Sequence, residues 1–122
     1  MQLSLYNNLI TKIEGLDGCP LIQKLYLEGN RISRLEGLVE QRYLEELNLS
    51  NQKIPDGDFF SFDDYSVAAI SGSLQTLDIN NASINDPRPL YFLENLLYFN
   101  MKNNKIEHLE YVSPCLSTMR YL

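Results

Sequence analysis

Leu25-Tyr26-Leu27-Glu28-Gly29-Asn30-Arg31-Ile32 alternates apolar and polar residues, breaks at Gly29-Asn30 and returns to an apolar position at Ile32. Alternation with a period of two marks a short strand buried on one face. Leu25 and Leu27 then point into a core, while Lys24, Tyr26 and Glu28 point outward. The same frame stands 22 residues earlier, as Leu3-Ser4-Leu5 with Asn8 and Ile10, and 22 residues later, as Leu47-Asn48-Leu49 with Gln52 and Ile54. A longer step leads to Leu77-Asp78-Ile79 with Ala82 and Ile84. Phe99-Asn100-Met101 with Asn104 and Ile106 makes the fifth copy, and a partial sixth opens at Leu116 and Met119. A unit this small cannot bury its apolar face alone, so the copies must stack and share one continuous core.

Each position in the frame has a physical role. An asparagine at the turn, present as Asn8, Asn30 and Asn104, both donates and accepts. Stacked along the repeats, these side chains satisfy backbone groups where the chain leaves each strand. Gln52 and Ala82 are expected to break that ladder, and Ala82 has no side-chain group with which to bond. The return segments Ile13-Glu14-Gly15-Leu16 and Leu35-Glu36-Gly37-Leu38 are near copies, with Leu109-Glu110-Tyr111-Val112 a relative. One apolar residue in three predicts a 3₁₀-like turn there. Extended strands on one side and compact arcs on the other predict a curved stack with the strands on its concave face.

The step from Leu47 to Leu77 is 30 residues, eight more than the period. The extra length lies in Pro55–Ile70, where Pro55 and Gly57 mark a turn. Ser61 with Asp64 three residues later reads as an N-cap signal, which predicts a helix over 62–71 ending at Gly72. Phe59, Phe62, Tyr65 and Ile70 make this segment too apolar for an exposed loop. It is expected to cover the core on the convex side. A partner-binding projection is the rival reading.

Composition bounds the function. Hydrophobic residues make up 44% of the chain and charged residues 21%, the balance of a folded domain. The net charge of −6 leaves no basic stripe for phosphates or anionic lipids, so neither direct nucleic-acid binding nor membrane binding is expected. No apolar run approaches the roughly 20 residues that span a bilayer, and the first residues carry no secretory signature. Cys19 and Cys115 stand far apart and outside any C-x-x-C, and His108 is near neither in sequence, so no metal site is expected. Two free thiols fit a reducing compartment. Asn48-Leu49-Ser50 and Asn81-Ala82-Ser83 match the glycosylation triplet, but both fall on repeat positions already explained. His108 lies on a convex arc, where an exposed or capping role is expected rather than catalysis.

The candidate functional residues are the outward rungs of the strands. Protein binding is assigned to Tyr6, Tyr26, Glu28, Glu46, Asn48, Asp78, Tyr98, Asn100 and Lys102, on a face that also carries Gln2, Ser4, Lys24, Ser50, Thr76 and Asn80. Tyrosine brings a large contact area with a polar tip at low entropic cost; on an exposed strand it is also an ordinary β-former. Glu28, Glu46 and Asp78 tint the face acidic, which would steer a basic partner. An open ladder of strands offers no enclosed pocket for acid–base chemistry, and no nucleophile–base pair, phosphate loop or metal cluster is present. No enzyme activity and no cofactor is expected.

The pattern L-x-x-L-x-L-x-x-N-x-[IL] is that of leucine-rich repeats. It predicts an α/β repeat solenoid over 1–122: a curved stack with parallel concave strands, short 3₁₀ or irregular convex arcs and one helical insertion at about 55–72. Because the chain starts at one strand and stops inside another, at Met119-Arg120-Tyr121-Leu122, it is expected to be an excerpt lacking both caps. The 22-residue period and the Glu-Gly-Leu arcs resemble the SDS22-like class. Asn51-Gln52-Lys53-Ile54-Pro55 with Gly57-Asp58, then Phe62-Asp63, then Ser73-Leu74 with Leu77 and Ile79, resembles the irregular long repeat of one family within that class. This is the testis leucine-rich repeat protein family, or protein phosphatase 1 regulatory subunit 42. Leu93-Glu94-Asn95-Leu96 fits the same frame.

That resemblance implies a cytoplasmic adaptor that binds the protein phosphatase 1 catalytic subunit and associates with tubulin or centrosomal proteins of the microtubule cytoskeleton. No short basic–x–Val/Ile–x–Phe/Trp docking peptide is present, so such binding would use the folded surface. The alternative is a spliceosomal or RNA-complex scaffold of the same repeat class, holding a protein beside RNA. It calls for basic flanking patches, and none is visible.

Overall fold

The computed structural model describes residues 1–107. The element order is β1 (Gln2–Ser4), β2 (Lys24–Tyr26), β3 (Arg34–Leu35), β4 (Glu46–Asn48), β5 (Ser61–Phe62), α1 (Asp64–Ile70), β6 (Thr76–Asp78), a 3₁₀ helix (Arg88–Phe92) and β7 (Tyr98–Asn100). Strands β1, β2, β4, β6 and β7 form one five-stranded parallel sheet in that order. Leu3 faces Leu25, Leu25 faces Leu47, Leu47 faces Leu77 and Leu77 faces Phe99, so every repeat enters the sheet in the same register. Parallel bonding runs on past the strands: Leu27 N–H donates to Asn48 O at 2.9 Å, and Asn51 N–H donates to Asn80 O at 2.9 Å.

The core is built in rows. Leu25, Leu47, Leu77 and Phe99 are fully buried along the sheet, and beside them run Leu27, Leu49, Ile79 and Met101. Ile22, Leu44, Leu74 and Leu96 fill the positions three residues before each strand centre. Leu3, Leu5 and Ile10 of the first rung are only partly buried, because β1 has a neighbour on one side alone.

The turn after each strand has a feature the repeat frame did not reveal. Asn7, Gly29, Asn51, Asn81 and Asn103 all hold positive φ, between 52° and 73°. Glycine and asparagine tolerate this left-handed conformation best. At the second rung a Cβ on Gly29 would lie 2.1 Å from Asn7 Oδ1, so a larger residue there would have to displace that exposed side chain.

The side-chain ladder follows immediately. Asn30 Oδ1 accepts from the N–H groups of Asn8 and Ile10, both at 3.1 Å, and its Nδ2 donates to Leu5 O and Leu27 O. Asn104 repeats the pattern against Ala82 and Ile84. Gln52 was expected to interrupt the ladder and instead continues it. Its longer arm accepts from Ile32 N–H at 2.9 Å and donates to Leu27 O at 2.8 Å and Leu49 O at 3.2 Å. Ala82 does interrupt it for one rung: a methyl group cannot accept from the preceding turn.

Two further expectations are corrected. The Glu-Gly-Leu arcs are not 3₁₀ turns. Gly15 and Gly37 sit at φ +78°, outside 3₁₀ geometry, and Arg34–Leu35 is a strand. The 3₁₀ helix lies instead at Arg88–Phe92, in the fourth repeat. The inserted helix spans Asp64–Ile70, not 62–71, and its cap is Asp63, which accepts from Ser66 N–H at 3.2 Å. Ser61 is unavailable as a cap because Ser61–Phe62 pairs in parallel with Arg34–Leu35. The helix buries Ser66, Val67 and Ile70 against the core and exposes Tyr65. Ser66 Oγ accepts from Leu38 N–H at 3.1 Å, which ties the insertion to the arc of the second repeat. The expected arc at 109–112, the partial sixth repeat, His108 and Cys115 lie outside the described residues.

Candidate protein-binding face

Because the core takes every second strand residue, the register sorts the others into three outward rows. The first holds Gln2, Lys24, Glu46, Thr76 and Tyr98, and the second Ser4, Tyr26, Asn48, Asp78 and Asn100. The third, just past the strands, holds Tyr6, Glu28, Ser50, Asn80 and Lys102. All nine candidate residues therefore stand on one side of the sheet, but they do not all serve alike.

Three of them are turned back into their own chain. Asn48 Oδ1 accepts from Ser50 N–H at 3.0 Å, Asp78 Oδ1 from Asn80 N–H at 3.2 Å, and Asn100 Oδ1 from Lys102 N–H at 3.1 Å. The short side chain bonds the backbone two residues on and fixes the exit from the strand. Asn and Asp at these rungs are thus structural, and they are half-buried rather than exposed. The period of the second row could have shown this, since Asn48, Asp78 and Asn100 recur in one register.

Tyr26 replaces that turn in the second repeat. Its hydroxyl donates to Glu46 Oε2, a diagonal contact from β2 to β4. The hydrogen bond to this carboxylate, then burial and the charges of Glu46 and Glu28, push the Tyr26 phenol up to about 12. The ring is held in place rather than loose on the surface. Glu28 Oε1 is sealed from solvent without a hydrogen-bond partner among the described residues. Tyr6 and Lys102 are exposed, whereas Tyr98 is half-buried.

Glu46, Asn48, Asp78 and Tyr98, together with Leu47 and Thr76, line a groove of about 330 Å³ across β4, β6 and β7. Thr76 is the short residue between Glu46 and Tyr98 in the first row, and it was not singled out from sequence. Tyr6, Tyr26, Glu28, Asn100 and Lys102 lie outside this lining. On the opposite side, Asp64, Val67, Ala68, Ser71, Phe92 and Glu94 border a second groove of about 470 Å³ between α1 and the 3₁₀ helix. The ion pairs of the described residues, Lys12–Glu36, Arg34–Glu36, Arg34–Asp63 and Arg88–Asp86, all involve residues of the arcs and the insertion. Among the described residues no cluster of His, Cys, Asp and Glu could hold a metal ion, and no helix is long and apolar enough to cross a membrane.

Identically registered parallel strands, a buried leucine row and an asparagine ladder together define a leucine-rich repeat fold. Residues 2–40 match the Leucine Rich repeats (2 copies) family. Such repeats generally mediate protein–protein interaction and are typically scaffolds rather than enzymes. No curated protein shows significant similarity to the chain.

Proposed function

We propose that the outward face of the five-stranded sheet docks a protein partner, and that this partner is the catalytic subunit of a protein phosphatase. The observation that carries the docking reading is the face itself. Half-buried tyrosines stand on β2 and β7, Glu46 and Asp78 lie between them, and the arc-side ion pairs leave these carboxylates unneutralised. Aromatic anchors flanked by like charges favour a partner of opposite charge and speed its association. The phosphatase assignment is supported by the long repeat over 51–79, which resembles that of the phosphatase 1 regulatory family. On the same ground the chain acts as a targeting subunit in the cytoplasm, at centrosomes or microtubules, with tubulin or centrosomal proteins as further partners.

The test is binding of the chain to the purified phosphatase 1 catalytic subunit, with melting curves as the control. Wild type binds, and Y26A with Y98A weakens binding by about 2 kcal/mol or more if both are anchors. E28K slows association and alters its salt dependence. No binding by wild type removes the phosphatase assignment. Binding unmoved by all three substitutions places the interface elsewhere, with the α1 groove the next surface to probe.

A further inference from the structure

We infer that the groove over Thr76 receives an arginine side chain of the docked partner; this rests on the reading that the sheet face binds protein. The groove combines two carboxylates with one aromatic wall. Glu46 uses Oε2 to hold the Tyr26 hydroxyl, and among the described residues no hydrogen bond or ion pair engages Oε1. Asp78 uses Oδ1 to bond Asn80, through its N–H at 3.2 Å and its Nδ2 at 2.7 Å, and Oδ2 is not engaged among the described residues. Each carboxylate therefore keeps one oxygen for a ligand while the other fixes its position. The two stand on adjacent strands along a diagonal: Glu46 faces Thr76, and Asp78 lies two residues further on, roughly 7–8 Å away along the sheet.

The chemistry of this arrangement selects the guest. A guanidinium presents several N–H donors in one plane and can bond two separate acceptors at once. Its flat face also stacks on an aromatic ring, and Tyr98 supplies that ring at the edge of the groove. Thr76 is short enough to leave the space open, with Glu46 and Tyr98 rising on either side in the same row. Among the described residues, Lys24 faces Glu46 in the register but forms no ion pair with it, and no cation lines the groove. An ammonium would find the charge but not the planar contact.

The experiment selects random peptides of roughly a dozen residues, displayed on phage, against the immobilised chain, and measures the selected peptides by fluorescence anisotropy. The neutral isostere citrulline then replaces each arginine, and the chain carries E46Q with D78N. This pair removes both charges and spares the fold: glutamine still accepts from Tyr26, and Asn48 and Asn100 already make the turn that Asn at 78 must make. The expected result is a shared arginine whose replacement by citrulline weakens binding about tenfold or more, with a matching loss in E46Q/D78N and a cooperative melting curve that keeps this variant folded at the assay temperature. Peptides that lose binding to Y98A but not to E46Q/D78N overturn the arginine groove and leave face docking intact. Peptides indifferent to both variants overturn the groove and count against face docking as well. Failure to enrich any peptide overturns the groove.

Discussion

The hydroxyl of Tyr26 donates to Glu46 Oε2, so the outward sides of the second and third repeats are joined by a side-chain bond as well as by the sheet. One consequence is measurable in the titration of the phenol. The folded group is pushed up to about 12, first by that hydrogen bond, while an unfolded tyrosine ionises near 10. The native state holds the proton more tightly than the unfolded chain does. This contribution to stability is therefore complete below about pH 10 and disappears as pH rises towards 12. The difference between the ultraviolet titrations of wild type and Y26F isolates one of the eight tyrosines. It should show a midpoint near 12, and E46Q should move that midpoint down towards 10. A wild-type midpoint near 10 would mean that the bond does not persist in solution.

The core rows yield a prediction about register. Leu49 is fully buried on the side of the chain opposite Asn48 and Ser50. Leu49→Ala should lower stability by roughly 2–5 kcal/mol, from lost transfer energy and the cavity left behind. Denaturant midpoints with an unchanged slope would measure it. An effect near zero would mean that the strand is shifted by one residue, which carries every side chain to the other face.

Two glycines in copied segments should behave differently. Gly15 and Gly37 both hold φ +78°, so alanine at either is strained by roughly 1–2 kcal/mol. At Gly15 a Cβ would meet nothing within 4 Å, whereas at Gly37 it would lie 2.3 Å from Ile13 O. G37A should therefore cost clearly more than G15A in the same denaturant titration. Equal costs would show that the first and second arcs are not in contact as described.

What the sequence disclosed and what it withheld follow from the range of the interactions. The strand rows were legible because alternation is local and recurs every 22 residues, and because one buried face fixes the phase of every strand. The outward position of Tyr26, Glu46, Asp78 and Tyr98 followed from the same phase. Their partners did not. Tyr26 meets Glu46 along a diagonal, which depends on rotamers of two long side chains and not on the period. The helix start was misplaced because Ser61 is claimed by pairing with Arg34, a contact across 27 residues that no capping pattern contains. Gln52 was misjudged as a break because residue type was weighed without reach: one more methylene places the same amide against the same backbone groups. The groove over Thr76 was invisible for a related reason, since it is defined by a short side chain between taller ones on separate strands.

The ladder gives the sharpest test of that last lesson. Asn30, Gln52 and Asn104 each bond backbone groups of the preceding turn, and at the rung between Gln52 and Asn104 stands Ala82, fully buried. By analogy with Asn30, asparagine at 82 would accept from the N–H of Ile54 and donate to the carbonyls of Leu49 and Ile79. Each neutral hydrogen bond contributes a net ~0.5–1.5 kcal/mol, against an overpacking cost of about 1–3 kcal/mol if the site cannot widen. The turn already holds asparagine in this position at three other rungs, so the backbone has room for it. A82N should raise stability by about 1 kcal/mol. A82V, which adds bulk without a donor or acceptor, should lower it. N30A should cost about 1–3 kcal/mol by leaving buried backbone groups unmet. Denaturant midpoints of the three variants decide the matter. If A82N and A82V destabilise equally, the alanine is there because the rung is too narrow, and Gln52 has taken the space as well as the bonds.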